Sequence, residues 1–201
     1  MKVTILDYGA GNIQSVQFAL ARLGIDALLS NDKELILTSD KIIFPGVGHA
    51  TQAMKQLKAA GLTDLIPELK QDVLGICLGM QLLCKHSEEG DTMGLGVFDA
   101  EIKRFSNSVK VPHMGWNTID IKKPCKLFNN QEIDTRFYFV HSYYAQLQNP
   151  DEMLSITDYH GVEYCSSIHK GNVFAFQFHP EKSGTQGLKI YKNFKELILN
   201  K

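Results

Sequence analysis

Residues 72–83, DVLGICLGMQLL, decide how the chain is read. An apolar run containing Val73 and Ile76 reaches Cys77, and an amphipathic run begins directly after it. Glycines stand two residues to either side, at Gly75 and Gly79. A cysteine that only fills a core needs no such flanks. G-x-C-x-G between a strand and a helix has the form of a nucleophile elbow with cysteine in place of serine. The nucleophile sits on a sharp, strained turn, and the glycines remove side chains that would collide there. The helix N-terminus that follows carries unsatisfied N–H groups and partial positive charge, which favours thiolate over thiol. The N–H of Leu78 points where an oxyanion would form. A five-residue pattern also arises by chance, so the elbow needs partners elsewhere in the chain.

Two other stretches supply them. Residues 172–183, NVFAFQFHPEKS, read as a strand ending at His179, with Pro180 stopping it and Glu181 two residues on. His179 can take the thiol proton through one ring nitrogen while Glu181 holds the other. Pro180 sets a bend that returns Glu181 towards the imidazole. Residues 42–50, IIFPGVGHA, read as a buried strand followed by a backbone-rich turn into a helix. In elbow enzymes the second oxyanion donor comes from such an early loop, and the glycines around Val47 let the main chain approach a substrate closely.

The chain around these stretches alternates in its first half. KVTILD is a strand, YGAGN a glycine turn, and Ile13 to Leu23 a helix stopped at Gly24. IDALLS and KIIF are strands, HATQAMKQLKAAG is a helix closing at Gly61, DVLGIC is a strand and LGMQLLCKH a helix. Strands without polar alternation, separated by helices, predict a mostly parallel sheet covered on both faces. The second half is strand-rich: VFDAEIKRF, WNTIDIK, RFYFVHSYYAQL, VEYCSSIH and NVFAFQFH predict antiparallel additions, and GLKIYKNFKELIL closes the chain as a helix. The expectation is one α/β domain over residues 1–201 with a central mixed, mostly parallel sheet flanked by helices.

Composition narrows the function classes. The 201 residues are 44% hydrophobic and 21% charged, with a net charge of -1 and no block of like charges, so neither a nucleic-acid nor a membrane surface is expected. Cys77, Cys84, Cys125 and Cys165 have neither CxxC pairs nor spacings shared with histidine, which argues against a metal site or a disulfide framework. The N-terminal apolar run is too short for a signal peptide, and the expected compartment is reducing and cytoplasmic. Gly9-Ala10-Gly11 lacks the third glycine of a dinucleotide turn, Gln14 standing in its place, so no nucleotide cofactor is expected. SEEGD at Ser87 to Asp91 reads as a solvated loop.

PGVG, GICLGMQLL and FQFHPEKS, in that order, resemble the class I (triad) glutamine amidotransferases, and the resemblance spans nearly the whole chain. DYGAGN, PGVG, VPHMGWN and YFVHSYY are similar to the glutaminase subunits of imidazole glycerol phosphate synthase within that family. The resemblance implies that Cys77 is the nucleophile, His179 the general base and Glu181 its orienter. Leu78 and the Val47-Gly48 stretch would supply the oxyanion donors. L-Glutamine would be held by Gln81 and by chain around Gly46, Gly48, Ser142 and Tyr143, with no metal or organic cofactor. Ammonia would pass to a (β/α)8-barrel cyclase subunit in a heterodimer serving histidine biosynthesis, docked through Asn12, Trp116, Tyr138 and Lys182. A glutaminase subunit for another acceptor, a catalytically silent regulatory relative and a free-standing cysteine peptidase are the alternatives.

Overall fold

The computed structural model describes residues 1–9, 11–132 and 134–197. Ala10 of the glycine turn, and Ile198 and Leu199 of the closing helix, lie outside the described residues. The first half runs β1 (Val3–Leu6), α1 (Ile13–Ala21), β2 (Ala27–Ser30), α2 (Lys33–Leu37), β3 (Lys41–Gly46), α3 (Ala50–Ala59), β4 (Asp72–Cys77) and α4 (Leu78–Leu82). Five strands follow: β5 (Cys84–Ser87), β6 (Thr92–Met93), β7 (Phe98–Arg104), β8 (His113–Thr118) and β9 (Asp120–Ile121). Then come β10 (Arg136–His141), β11 (Tyr143–Leu147), β12 (Met153–Tyr159), β13 (Val162–Lys170), β14 (Val173–Phe176) and α5 (Gly184–Glu196).

The main sheet has the order β2-β1-β3-β4-β14-β13-β11-β7-β5-β6, with β12 also paired to β13, and β9 to β12. From β2 to β14 every pairing is parallel, and the joins β14–β13, β13–β11 and β11–β7 are antiparallel. β1, β3 and β4 are buried on both faces, as expected for a covered parallel sheet, whereas β2 lies at the sheet edge with Leu28 and Leu29 exposed. Ile42, Phe44 and Val73 pack on one face with Ala53 and Leu57 of α3. Ile43, Leu74 and Ile76 pack on the other with Val16 and Leu20 of α1 and Ile190, Tyr191 and Phe194 of α5. Each such valine, leucine, isoleucine or phenylalanine contributes roughly 1.5–3 kcal/mol by leaving water. The centre of the sheet is thereby held rigidly, with the carboxyl ends of β3, β4 and β14 side by side. Gly46 pairs with Cys77, and Ile76 with Phe176. A crevice at the carboxyl ends of parallel strands is where open α/β sheets place ligands.

Four local expectations are corrected. The helix α1 ends at Ala21 rather than Leu23, although Gly24 does take a positive φ of 65°. LGMQLLCKH is not one helix: α4 stops at Leu82 and Cys84 begins a strand. The carbonyls of Leu82, Leu83 and Cys84 accept hydrogen bonds from Leu95, Phe98 and Gly96, so the tertiary ladder overrides helix propensity. RFYFVHSYYAQL divides at Ser142 into β10 and β11, which belong to different sheets; β10 pairs only with β8 among the described residues, as a separate ribbon. NVFAFQFH leaves the ladder after Phe176. Gln177 N–H still bonds Ser166 O at 3.0 Å, but His179 N–H turns to Tyr138 O at 2.9 Å.

Candidate active site

Cys77 closes β4 with φ 52° and ψ -109°, a positive φ that costs a non-glycine residue on the order of 1–3 kcal/mol. Packing beneath the turn holds it there. A Cβ on Gly79 would lie 2.0 Å from Phe44 O. One on Gly46 would meet Gly79 N at 2.8 Å and the Tyr8 hydroxyl at 2.9 Å. The glycines of both motifs thus let β3 and α4 touch backbone to backbone. Gly46 is accordingly buried under the elbow and does not line the cleft.

His179 and Glu181 meet as the bend at Pro180 suggested. Pro180–Lys182 forms a single 3-10 turn, and His179 Nδ1 lies 2.7 Å from Glu181 Oε1. A carboxylate only accepts, so Nδ1 carries the proton and Nε2 is the free face of the ring. Nε2 is buried and has no hydrogen-bond partner among the described residues. Burial works against a charged imidazole here, but Cys77 and then Glu181 outweigh it, and the His179 pKa is pushed up to about 10. Tyr191 O–H reaches the other Glu181 oxygen at 3.4 Å.

These groups open on a cleft of about 650 Å³. Cys77, Leu78, His179, Val47, Gly48, Gln81, Ser142 and Tyr143 line it. Val47 is partly exposed, and Gly48 takes φ 102° with nothing within 4 Å of where a Cβ would be. Asn12 and Lys182 also line the cleft. Trp116 and Tyr138 lie outside the cleft, opposite each other on the β8–β10 ribbon with their rings edge-to-face at 6.1 Å. Lys182 Nζ sits 5.8 Å from the Tyr138 ring. Trp116 is 53% exposed, so it is not a core tryptophan. Among the described residues, no group of three or more histidines, cysteines or acids is placed to hold a metal ion.

The class-I glutamine amidotransferase family profile matches residues 4–197. The chain belongs to the class-I glutamine amidotransferase family. It is 50% identical to "Imidazole glycerol phosphate synthase subunit HisH" of Bacteroides fragilis over 98% of this chain and all of that one. It is 44% identical to the protein of the same name from Acinetobacter baylyi, over 97% and 98% of the two chains. Among solved structures it is similar to a "glutamine amidotransferase" (TM-score 0.75, 22% identity, covering 96% of this chain and 97% of that one). It is also similar to "PurLQS from Thermotoga maritima" (TM-score 0.74, 19% identity, 97% of both chains). At these identities the structural likeness speaks for the fold.

For an amidotransferase site, sequence reasoning missed four groups. Gln177 is fully buried and directs its amide at the Cys77 sulfur, Nε2 to Sγ being 3.7 Å. Ser183 accepts from Tyr138 N–H at 2.9 Å and donates to His179 O at 2.6 Å, tying the base to the ribbon. Glu89, read as part of a solvated loop, lines the cleft and accepts from Ala50 N–H at 2.7 Å, where it caps α3. His141 lines the cleft from β10, and its only sequence signal was its place in the YFVHSYY match. The remaining thiols are inert by comparison: Cys84 and Cys165 are buried, and burial pushes Cys84 far up and Cys165 up to about 12. Cys125 is half-buried and also raised by burial.

Proposed function

We propose that this chain is the glutaminase subunit of an imidazole glycerol phosphate synthase, releasing ammonia from L-glutamine for a partner subunit in histidine biosynthesis. The observation that carries the reading is one cleft holding Cys77 at positive φ, with a His179–Glu181 pair of 2.7 Å beside it, in a chain of this family. Cys77 Sγ attacks the side-chain amide carbon of glutamine, and the carbonyl electrons move onto oxygen. Leu78 N–H and a donor from the Val47-Gly48 stretch stabilise that oxyanion. The C–N bond breaks as His179 Nε2 gives its proton to the departing ammonia, leaving a glutamyl thioester. His179 then takes a proton from water, hydroxide attacks the thioester, and the C–S bond breaks to give glutamate and the thiolate. Glu181 holds the imidazole tautomer and balances its charge throughout.

Gln81 supports substrate binding through its carbonyl alone. Both protons of its Nε2 are committed, to Tyr143 O and to Gln177 Oε1, each at 3.0 Å. We assign the partner as a (β/α)8-barrel cyclase in a heterodimer that seats over the cleft mouth, contacting Asn12, Trp116, Tyr138 and Lys182. The complex would work in the cytoplasm, a setting in keeping with four free cysteines. Glutamate release from glutamine, assayed with and without the barrel subunit and its nucleotide substrate, tests the assignment. Release strongly dependent on that partner supports it. Equal stimulation by the synthase subunit of another amidotransferase would move the chain to a different acceptor.

A further inference from the structure

Gln177 lies in a hydrogen-bond network whose polarity follows from one backbone carbonyl. Tyr143 O can only accept, so the Gln81 side-chain atom 3.0 Å from it is the nitrogen. The same nitrogen lies 3.0 Å from a Gln177 side-chain atom, which must therefore be oxygen. Gln177 Nε2 is then the atom facing Cys77 Sγ at 3.7 Å. The carbonyl itself is pinned from its other side. His141 Nδ1 donates to Tyr143 O at 2.8 Å, so its Nε2 accepts from the Tyr164 hydroxyl at 3.2 Å. Tyr164 oxygen in turn accepts from His113 Nδ1 at 2.9 Å. Burial holds both imidazoles neutral, with pKa values lowered to about 3 for His141 and about 4 for His113, in agreement with these tautomers.

We propose that Gln177 is a positioning residue for the nucleophile: its amide N–H, locked by Gln81 and the Tyr143 carbonyl, donates to the Cys77 sulfur and holds the thiolate on its attack line. The inference rests on the reading of Cys77 as nucleophile. Gln177 is fully buried and does not line the cleft, so it acts through Cys77 and not on glutamine. A donor to a charged sulfur favours the thiolate, and hydrogen bonds to charged groups are about twice as strong as neutral ones. Fully buried, the amide has no water to replace a lost partner.

The test is the rate of Cys77 alkylation by iodoacetamide as a function of pH, followed by peptide mapping, in the parent and in Gln177→Met, which keeps length and removes the donor. The titratable groups acting on the sulfur are His179 with Glu181 behind it, Tyr8 from the segment after β1 and Tyr164 from β13, while His141 from β10 acts on His179. All are unchanged in the variant. Loss of the donor should raise the alkylation midpoint by about one pH unit, a tenfold loss of thiolate at fixed pH below it. In the complete enzyme, kcat should fall about tenfold or more, with KM changed by less than about twofold, since a lost ground-state contact would appear in KM. Gln81→Met, which leaves Gln177 in place but unlocked, should shift the midpoint in the same direction by a smaller amount, and it serves alone if Gln177→Met does not fold. An unchanged midpoint in the folded variants overturns the inference while leaving the proposed function standing. Undiminished glutamine turnover in Cys77→Ala overturns both.

Discussion

Gly79→Ala probes the contact on which the elbow rests. The added Cβ would lie 2.0 Å from Phe44 O, 1.0 Å inside the 3.0 Å that real Cβ atoms keep, and the obstacle is backbone of a central strand. Neither element can yield freely: Phe44 and Leu78 are buried, and Gly79 is the second residue of α4. Overpacking of this kind costs about 3 kcal/mol, at the upper end of the usual range. Better helix propensity returns about 1 kcal/mol, leaving a net loss of about 2 kcal/mol. At roughly 2–4 °C per kcal/mol for a chain of this size, Tm falls by about 4–8 °C. The displacement passes to both ends of the contact, since β3 runs into Val47-Gly48 and α4 starts at Leu78. A shift near 1 Å there lowers turnover about 10²-fold. Calorimetry and partner-stimulated glutamate release read the two effects on the same sample. A Tm within 1 °C of the parent together with turnover within twofold would refute the close-contact account of this glycine. Gly48→Val is the contrasting change: its Cβ meets nothing, but valine cannot hold φ 102° without strain of about 1–3 kcal/mol, so the loop leaves that conformation and turnover falls without any clash with β3 or α4.

Five further outcomes are expected. An electrophilic glutamine analogue should label Cys77 and spare Cys84, Cys125 and Cys165, whose thiols burial holds protonated; equal labelling in peptide maps contradicts this. The isolated subunit should turn glutamine over slowly and gain about 10²–10³ in kcat with the loaded partner, the usual worth of one oxyanion donor; full activity alone would mean a permanently assembled site. The His179 pKa is raised above the unfolded 6.5, so its contribution to stability is complete below pH 6.5 and is lost as pH rises towards about 10. Thermal melts of Cys77→Ala should show a shallower loss over that window, and an identical slope would contradict the coupling. His113 and His141 are lowered instead, so their contribution is complete above pH 6.5 and is lost as pH falls towards about 4 and then 3. Trp116→Ala should weaken association with the barrel subunit while moving the monomer Tm by less than about 2 °C, since the residue is already about half exposed; the reverse pattern would make it structural.

Much of the fold was readable because the central strands are apolar on both faces and their glycine-flanked ends are local signals. The residues 72–83 placed strand, elbow and helix start correctly, and HPE already brought a base within reach of its carboxylate. What failed depended on distant chain. Leu82–Cys84 leave the helix because Leu95, Gly96 and Phe98 offer them a ladder, a pairing that no window around residue 84 contains. Ser142 divides one apolar-alternating run between two sheets for the same reason, its carbonyl bonding Phe105 N–H at 3.0 Å. Gln177 and Ser183 were passed over because a glutamine in a strand and a serine before a helix are ordinary by type. Only the fold brings Gln177 to the sulfur and Ser183 between Tyr138 and His179.

The most direct test is glutamate release from L-glutamine by the parent and Cys77→Ala proteins, each bound to the barrel cyclase loaded with its nucleotide, with free ammonium as the control nitrogen source. The account predicts that Cys77→Ala releases no glutamate above background yet still sustains the cyclase reaction on ammonium, showing an intact complex that lacks its nucleophile. Glutamate release by Cys77→Ala at a rate near that of the parent would contradict it.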